Sequence, residues 1–226
     1  MNVEQARFNM IEQQIRPWDV LDPHVLDLLA VVRREDFVPA AYRGLAFADI
    51  EIPLRDNPKL VAAGQVMLPP RLEARLLQDL AVAKHENVLE IGTGSGFMAA
   101  LLGHRAQRVV TLEIDSDMAQ RAHTNLQRAG VLNVEVRVAD GASADLDLSA
   151  DSPFDAILLS GSVAELPVQL LPLLKPGGRL LAIVGEPPVM RATLVHSAGT
   201  EPAVTQLWDT GAPALLNFPR PPRFRF

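Results

Sequence analysis

The stretch Asn87-Val88-Leu89-Glu90-Ile91-Gly92-Thr93-Gly94-Ser95-Gly96-Phe97 constrains this chain more than any other. Val88, Leu89 and Ile91 suit a strand buried in the middle of a parallel sheet, and three alternate glycines then remove the Cβ atoms that would keep a ligand off the backbone. A helix is predicted to begin around Phe97. After it come strand, helix and strand again, so the expected fold is α/β, with a doubly wound, Rossmann-like sheet. The glycine turn is where a nucleotide-like cofactor should sit.

The rest of the chain fits around that unit. Val3, Ala6, Phe8, Met10, Ile11 and Ile15 recur among charged and amide side chains, which predicts an amphipathic helix up to Pro17. Asp22-Pro23 reads as an N-cap with proline at the first helical position, opening a helix through Val32. From Ala46 to Pro70 the prolines Pro53, Pro58, Pro69 and Pro70 and the glycine Gly64 predict a long irregular segment of the kind that serves a site. Helices are expected over Arg71–Ala83, Phe97–Arg105, Asp117–Gly130 and Leu166–Leu174, with Gly130 as a C-terminal cap. Strands are expected over Arg108–Asp115, Val134–Val138, Phe154–Leu159 and Arg179–Val184, the last fed by the turn Lys175-Pro176-Gly177-Gly178. Thr193–His196 and Ala203–Trp208 supply two further strands. The Phe218–Phe226 tail, with Arg220, Arg223 and Arg225, is either a packed edge or a mobile end.

Composition narrows the function classes. At 226 residues and 48% hydrophobic the chain can bury a sizeable core, and its formal charge of -6 disfavours nucleic acid, whose affinity comes from phosphate neutralisation by Lys and Arg. With no cysteine there is no disulfide framework, thiol nucleophile or cysteine metal site, which suits a reducing compartment. Met1-Asn2-Val3-Glu4-Gln5 leads into no apolar signal segment, and Pro, Gly or charge interrupts every apolar run, so a cytoplasmic protein with no membrane contact is expected. The five histidines, His24, His85, His104, His123 and His196, lack metal-ligand spacing. Ser95 lacks the nucleophile-elbow spacing of a hydrolase.

Spacing separates the possible cofactors. The third glycine comes one place too early for a dinucleotide fingerprint, and Glu-x-Gly-x-Gly-x-Gly instead resembles the S-adenosylmethionine methyltransferases. Glu113 falls about 20 residues past the first glycine, the usual distance for an acceptor of the ribose diol. Val138-Ala139-Asp140-Gly141 ends the next strand, and all three motifs lie at the strand ends where an open α/β sheet binds ligand. Taken singly, Gly94 reads as a tight turn, Glu113 as a solvated strand end and Asp140 as a helix cap; the ordered set outweighs those readings. The resemblance implies glycine amides on the methionine part, Glu113 on the ribose hydroxyls and Asp140 on the adenine amino group. Its full cofactor set is Glu90, Gly92, Thr93, Gly94, Ser95, Gly96, Glu113, Ile114, Asp140 and Gly141.

A narrower likeness covers most of the chain. Met10-Ile11-Glu12-Gln13-Gln14-Ile15, Val25-Leu26, Arg33-Arg34-Glu35-Asp36-Phe37-Val38-Pro39, Gly64-Gln65, Phe154-Asp155-Ala156-Ile157 and Leu174-Lys175-Pro176-Gly177-Gly178 resemble the protein-L-isoaspartate O-methyltransferases. That resemblance implies repair of damaged aspartyl residues by in-line displacement at the sulfonium methyl of S-adenosylmethionine, the acceptor carboxylate being already ionised so that no general base is needed. S-adenosylhomocysteine is the product, no metal takes part, and the acceptor is a protein or peptide bearing isoaspartate, or a small carboxylate. Residues 1–70 become a helical and loop extension serving the acceptor side, and 71–226 one cofactor-binding domain. The acceptor site maps to Gln65, Met67, Leu68 and Pro69. There the chain departs from the family, for Val66-Met67-Leu68-Pro69-Pro70 replaces Thr-Ile-Ser-Gln-Pro and puts Leu68 at the position of the serine beside the transferred methyl. The ending Leu207-Trp208-Asp209-Thr210-Gly211 departs too, as does the longer stretch Arg55–Ala63. The alternatives are a methyltransferase with a different acceptor, or a module that binds S-adenosylmethionine and has lost transfer.

Overall fold

A computed structural model describes residues 2–55, 64–197 and 202–221. The first helix, α1 (Val3–Met10), is capped by the Asn2 side chain, which accepts from the Gln5 amide. The winding continues past Met10 as expected but changes pitch, through a π turn at Ile11–Ile15 and a 3-10 turn at Arg16–Trp18, and left-handed Asp19 closes it. Asp22 caps α2 (Pro23–Val31) by accepting from the His24 amide at 2.8 Å, with Pro23 in the first turn.

Inside the segment expected to be irregular, β1 (Ile52–Pro53) and β2 (Val66–Met67) form a small antiparallel pair, followed by α3 (Pro70–Leu80). The main sheet then alternates with helices: β3 (Asn87–Ile91), α4 (Phe97–Arg105), β4 (Arg108–Glu113), α5 (Ser116–Arg128), β5 (Val134–Val138), β6 (Phe154–Val163), β7 (Leu174–Glu186), β8 (Val189–His196) and β9 (Ala203–Asp209). Gly130 follows α5 with φ 71, the left-handed step that commonly ends a helix. Among the described residues no helix is long and apolar enough to cross a membrane.

The strands lie in the order β5-β4-β3-β6-β7-β8-β9. The first five are parallel, and β8 and β9 extend the sheet antiparallel. Because the chain leaves β3 in one direction for β4 and β5 and in the other for β6 and β7, its ligand crevice opens beyond the end of β3. Alternation along the strands sorts the core into two faces. Val88, Val109, Leu158 and Leu181 pack with apolar residues of all five α-helices, whereas Leu89, Val110, Ile157 and Leu180 pack against Leu148, Leu170, Leu174 and Phe218.

Two expectations change on the second face. Leu166–Leu174 was expected to be a helix, but only a 3-10 helix over Val168–Leu173 forms, with Pro172 inside it. Proline supplies no N–H and crowds the preceding turn, so an α-helix cannot run through that position unbroken. The Lys175-Pro176-Gly177-Gly178 turn is absorbed into β7 as a bulge, where the register jumps from Phe154 opposite Leu174 to Ala156 opposite Arg179.

The N-terminal segment is tied to the sheet by Arg34, only 1% exposed. Its Nε donates to the Ala46 carbonyl at 3.1 Å, one terminal nitrogen to the Leu68 carbonyl at 2.6 Å, and the other to Glu73 on α3. Its Cζ lies 5.0 Å from the centre of the Phe97 ring at the start of α4. Arg34→Ala would strand a buried carboxylate and two carbonyls, so the unfolding free energy from urea titration should fall by about 3–5 kcal/mol. A loss under about 1 kcal/mol would show that Arg34 is not the tie.

Candidate active site

The glycine turn leaves β3 with Gly92 at φ 95 and Gly94 at φ 55, a backbone region that side chains other than glycine rarely adopt. The Gly92 and Thr93 amides donate to the Leu112 carbonyl of β4, which binds the turn to the neighbouring strand. The Gly94 amide donates to Glu113 Oε2 at 2.9 Å. Glu113 Oε1 accepts from the Asp115 amide at 3.1 Å, so each carboxylate oxygen already has one backbone donor and keeps a further lone pair. Burial pushes the Glu113 carboxyl up, with the Gly94 and Asp115 amides pulling it down.

Below the turn lies a column of polar groups. Glu90 is fully buried and accepts from Ser160 Oγ and Thr111 Oγ1, each at 2.7 Å. Thr93 Oγ1 sits 2.7 Å from Thr111 Oγ1. Desolvation pushes Glu90 up to about 8, against the pull of those two hydroxyls, so it is held mostly as the neutral acid at pH 7.

Above the turn a cleft of about 690 Å³, counting the part open to solvent, brings together residues from separate elements. Its walls include Gly92, Gly94, Glu113, Ile114, Asp140 and Gly141 from the strand ends, and Gly64 and Gln65 from the N-terminal segment. Asp140 Oδ1 accepts from the Ala142 amide at 2.9 Å and its Oδ2 from Asn217 Nδ2 at 2.7 Å. A Cβ at Gly141 would meet Ile91 at 2.4 Å, so only glycine fits there. The Gln65 Oε1 atom is buried without a hydrogen-bond partner among the described residues.

The sequence profile of the family described as Protein-L-isoaspartate(D-aspartate) O-methyltransferase matches residues 5–204. The chain belongs to that family. A Protein-L-isoaspartate O-methyltransferase 1 of Syntrophobacter fumaroxidans is 37% identical over 197 residues, covering 87% of each chain. A solved protein-L-isoaspartate O-methyltransferase superposes with TM-score 0.74 at 24% identity, over 91% of this chain and 64% of that one. A Plasmodium falciparum structure described as a putative member in complex with S-adenosyl-L-homocysteine superposes with TM-score 0.73 at 18% identity, over 95% and 98% of the chains, which establishes likeness of fold.

Members of this family use S-adenosylmethionine, and the cleft fits it. The orphaned Gln65 acceptor suits a donor such as the methionine ammonium, the spare lone pairs of Glu113 suit a diol, and the glycine turn leaves backbone within reach. When bound, S-adenosylmethionine supplies an electrophilic methyl group on a sulfonium. Among the described residues no group of three or more His, Asp or Glu is placed to hold a metal ion.

The other residues singled out from sequence lie beside the cleft. Glu90 and Thr93 do not line it but are buried next in sequence to the wall residues Ile91, Gly92 and Gly94, and Gly96 caps α4 against Ala122. Ser95 Oγ accepts from the Phe97 amide at 3.3 Å and borders another hollow, which shares Leu54, Gly94 and Met118 with the cleft and is lined also by Arg43, Arg121 and Arg128. On the acceptor side only Gln65 reaches the wall; Met67 and Leu68 are 3% and 6% exposed in the core, and Pro69 precedes α3. Leu68 turns inward because β2 pairs with β1 and Arg34 holds the Leu68 carbonyl. Ser160, Leu54, Met118, Leu215, Leu216 and Phe218 are further wall residues that were not foreseen. Of these, only Leu215 and Leu216 belong to an apolar run, Ala214-Leu215-Leu216, that could have pointed to them.

Glu113→Ala should weaken S-adenosylhomocysteine binding by about ten- to a hundredfold, the usual cost of a lost charged acceptor, while unchanged affinity by calorimetry would remove Glu113 from the site. For Glu90, a folded value of about 8 against 4.5 means that the folded chain holds the proton more tightly. Its contribution is therefore complete below the unfolded value and is lost as pH rises through the folded one. Glu90→Gln should gain stability relative to the parent chain between pH 5 and 9, by an amount on the order of a few kcal/mol. Parallel denaturation curves at each pH check this, and a difference that stays flat contradicts it.

Proposed function

We propose that this chain transfers the S-adenosylmethionine methyl group to the free carboxylate of isoaspartyl residues in damaged proteins. The observation that carries this reading is the chemistry of the cleft wall: among the described residues its only titratable side chains are Glu113 and Asp140, both engaged on the cofactor side. Within the cofactor cleft, where the methyl is transferred, an acceptor needing deprotonation would find no further base among the described residues. A carboxylate needs none, and catalysis then rests on approximation and exclusion of water, tasks suited to the apolar Leu54, Leu215 and Leu216.

The acceptor has an approach of its own. A second hollow shares Gly64, Ala214 and Leu216 with the cofactor cleft and is lined further by Glu51, Pro187, Pro188, Met190 and Arg220. We place the acceptor polypeptide in it, so that residues 1–70 contribute Glu51 and Gly64 to the acceptor side. Arg220 is the one cation among the described residues of this wall, where Glu51 and Asp209 also stand, and it is the group that would meet the acceptor carboxylate. A chain without cysteine suits the cytoplasm, where such repair would take place.

Transfer of labelled methyl to an isoaspartyl peptide, beside its ordinary aspartyl twin, tests the reading. Label on the isoaspartyl peptide alone is expected, and label on neither, with S-adenosylmethionine bound, would overturn it. Leu68→Ser refines the test. With Leu68 in the core, the serine should lower stability by about 2–5 kcal/mol and leave turnover per folded molecule unchanged. A rise in turnover would return this position to the acceptor site.

A further inference from the structure

We infer that Asn217 reads the adenine of the cofactor together with Asp140. This rests on the cleft being the S-adenosylmethionine site. The residues after β9 come back across the sheet end and are fixed there. Ser162 donates its amide to the Pro213 carbonyl and its hydroxyl to the Ala212 carbonyl, and accepts from the Leu215 amide, each at 2.8 Å. Leu215 packs so closely on the turn that a Cβ at Gly92 or Gly161 would meet it at 2.9 or 2.8 Å. Phe218 is buried in the second face of the core. Asn217 is thus held between two anchors, exposed itself but flanked by Leu216 and Phe218, which both line the cleft.

Its own geometry is that of a reading group. Asn217 has φ 63, a left-handed backbone that asparagine tolerates better than most residues. A carboxylate only accepts, so the amide nitrogen must be the atom facing Asp140, as the 2.7 Å contact shows. Asp140 Oδ1 is taken by the Ala142 amide, which leaves a lone pair on Oδ2 beside Asn217. The Asn217 carbonyl oxygen accepts no hydrogen bond from the described residues. Carboxylate and carboxamide together offer two acceptors, which matches the two hydrogens of a purine 6-amino group. A 6-oxo purine would set an oxygen against both, and a site built on hydrogen bonds rejects such a mismatch strongly.

The test compares S-adenosylhomocysteine with its 6-oxo (inosyl) analogue by calorimetry on the full chain. Asn217→Gly removes the carboxamide and keeps the backbone angle, so lost folding does not confuse the result. The parent chain should prefer the 6-amino ligand by about a hundredfold or more. In the variant, affinity for that ligand should fall about five- to twentyfold while the analogue changes less than twofold. Equal losses for both ligands would make Asn217 a tether only, and tighter 6-amino binding would make it a competitor for Asp140; either overturns the inference. A parent chain that binds neither ligand would instead overturn the cofactor reading beneath it.

Discussion

One buried guanidinium holds the N-terminal segment against the glycine turn. Arg34 reaches the Ala46 and Leu68 carbonyls and Glu73, and lies over the ring of Phe97, the residue that opens α4 at the end of the turn. Phe37, three places on, meets the same ring edge-on at 5.5 Å between centroids. A charge this deep is tolerated because each of its three nitrogens has an acceptor, and removing any partner would leave a desolvated group behind. The consequence is positional. Gln65 lies close in sequence to Leu68, so the tie that fixes Leu68 also sets Gln65 against the cleft.

From that anchor the site is a division of labour between carboxylates. Glu90, buried and bonded only to hydroxyls, is held neutral at pH 7 and lies beneath the turn, whereas Glu113 receives two backbone amides and keeps lone pairs toward the cleft. Asp140, at the end of the next strand, is shared between the backbone and Asn217. The three acidic groups stand at the ends of adjacent β3, β4 and β5, so the order of strands in the sheet sets the order of their roles. The C-terminal segment then separates the cofactor cleft from the second hollow, since Ala214 and Leu216 line both.

Much of this was legible in the residues because the information is local. Strand, glycines and helix follow one another within eleven positions, and Glu113 and Asp140 each close a strand whose apolar pattern announces it. What was not legible depends on contacts made at long range. The inward face of Leu68 follows from a two-residue pairing with Ile52 and Pro53 and from a guanidinium 34 positions away, none of which leaves a period in the sequence. The return of Ala214 to Ser162 is a single parallel bridge, too short to give a strand pattern, yet the segment around it supplies Ala214, Leu215, Leu216 and Phe218 to the cofactor wall. Leu166–Leu174 misled because its apolar spacing suits a helix while Pro172 forbids a regular one. Most of the stretch Arg55–Ala63, and Arg223 and Arg225 of the tail, lie outside the described residues.

Two hollows meet at Gly64, Ala214 and Leu216, and we propose one for the cofactor and one for the polypeptide that carries the acceptor carboxylate. A crystal structure of the chain with S-adenosylhomocysteine and an isoaspartyl peptide bound together tests it most directly. The ribose is expected on Glu113, the adenine at Asp140, and the peptide carboxylate arriving from the side of Pro187 and Arg220, in line with the position of the methyl on the cofactor sulfur. A peptide seated instead in the arginine-lined hollow beside Ser95, or a cofactor that leaves Glu113 untouched, would contradict it.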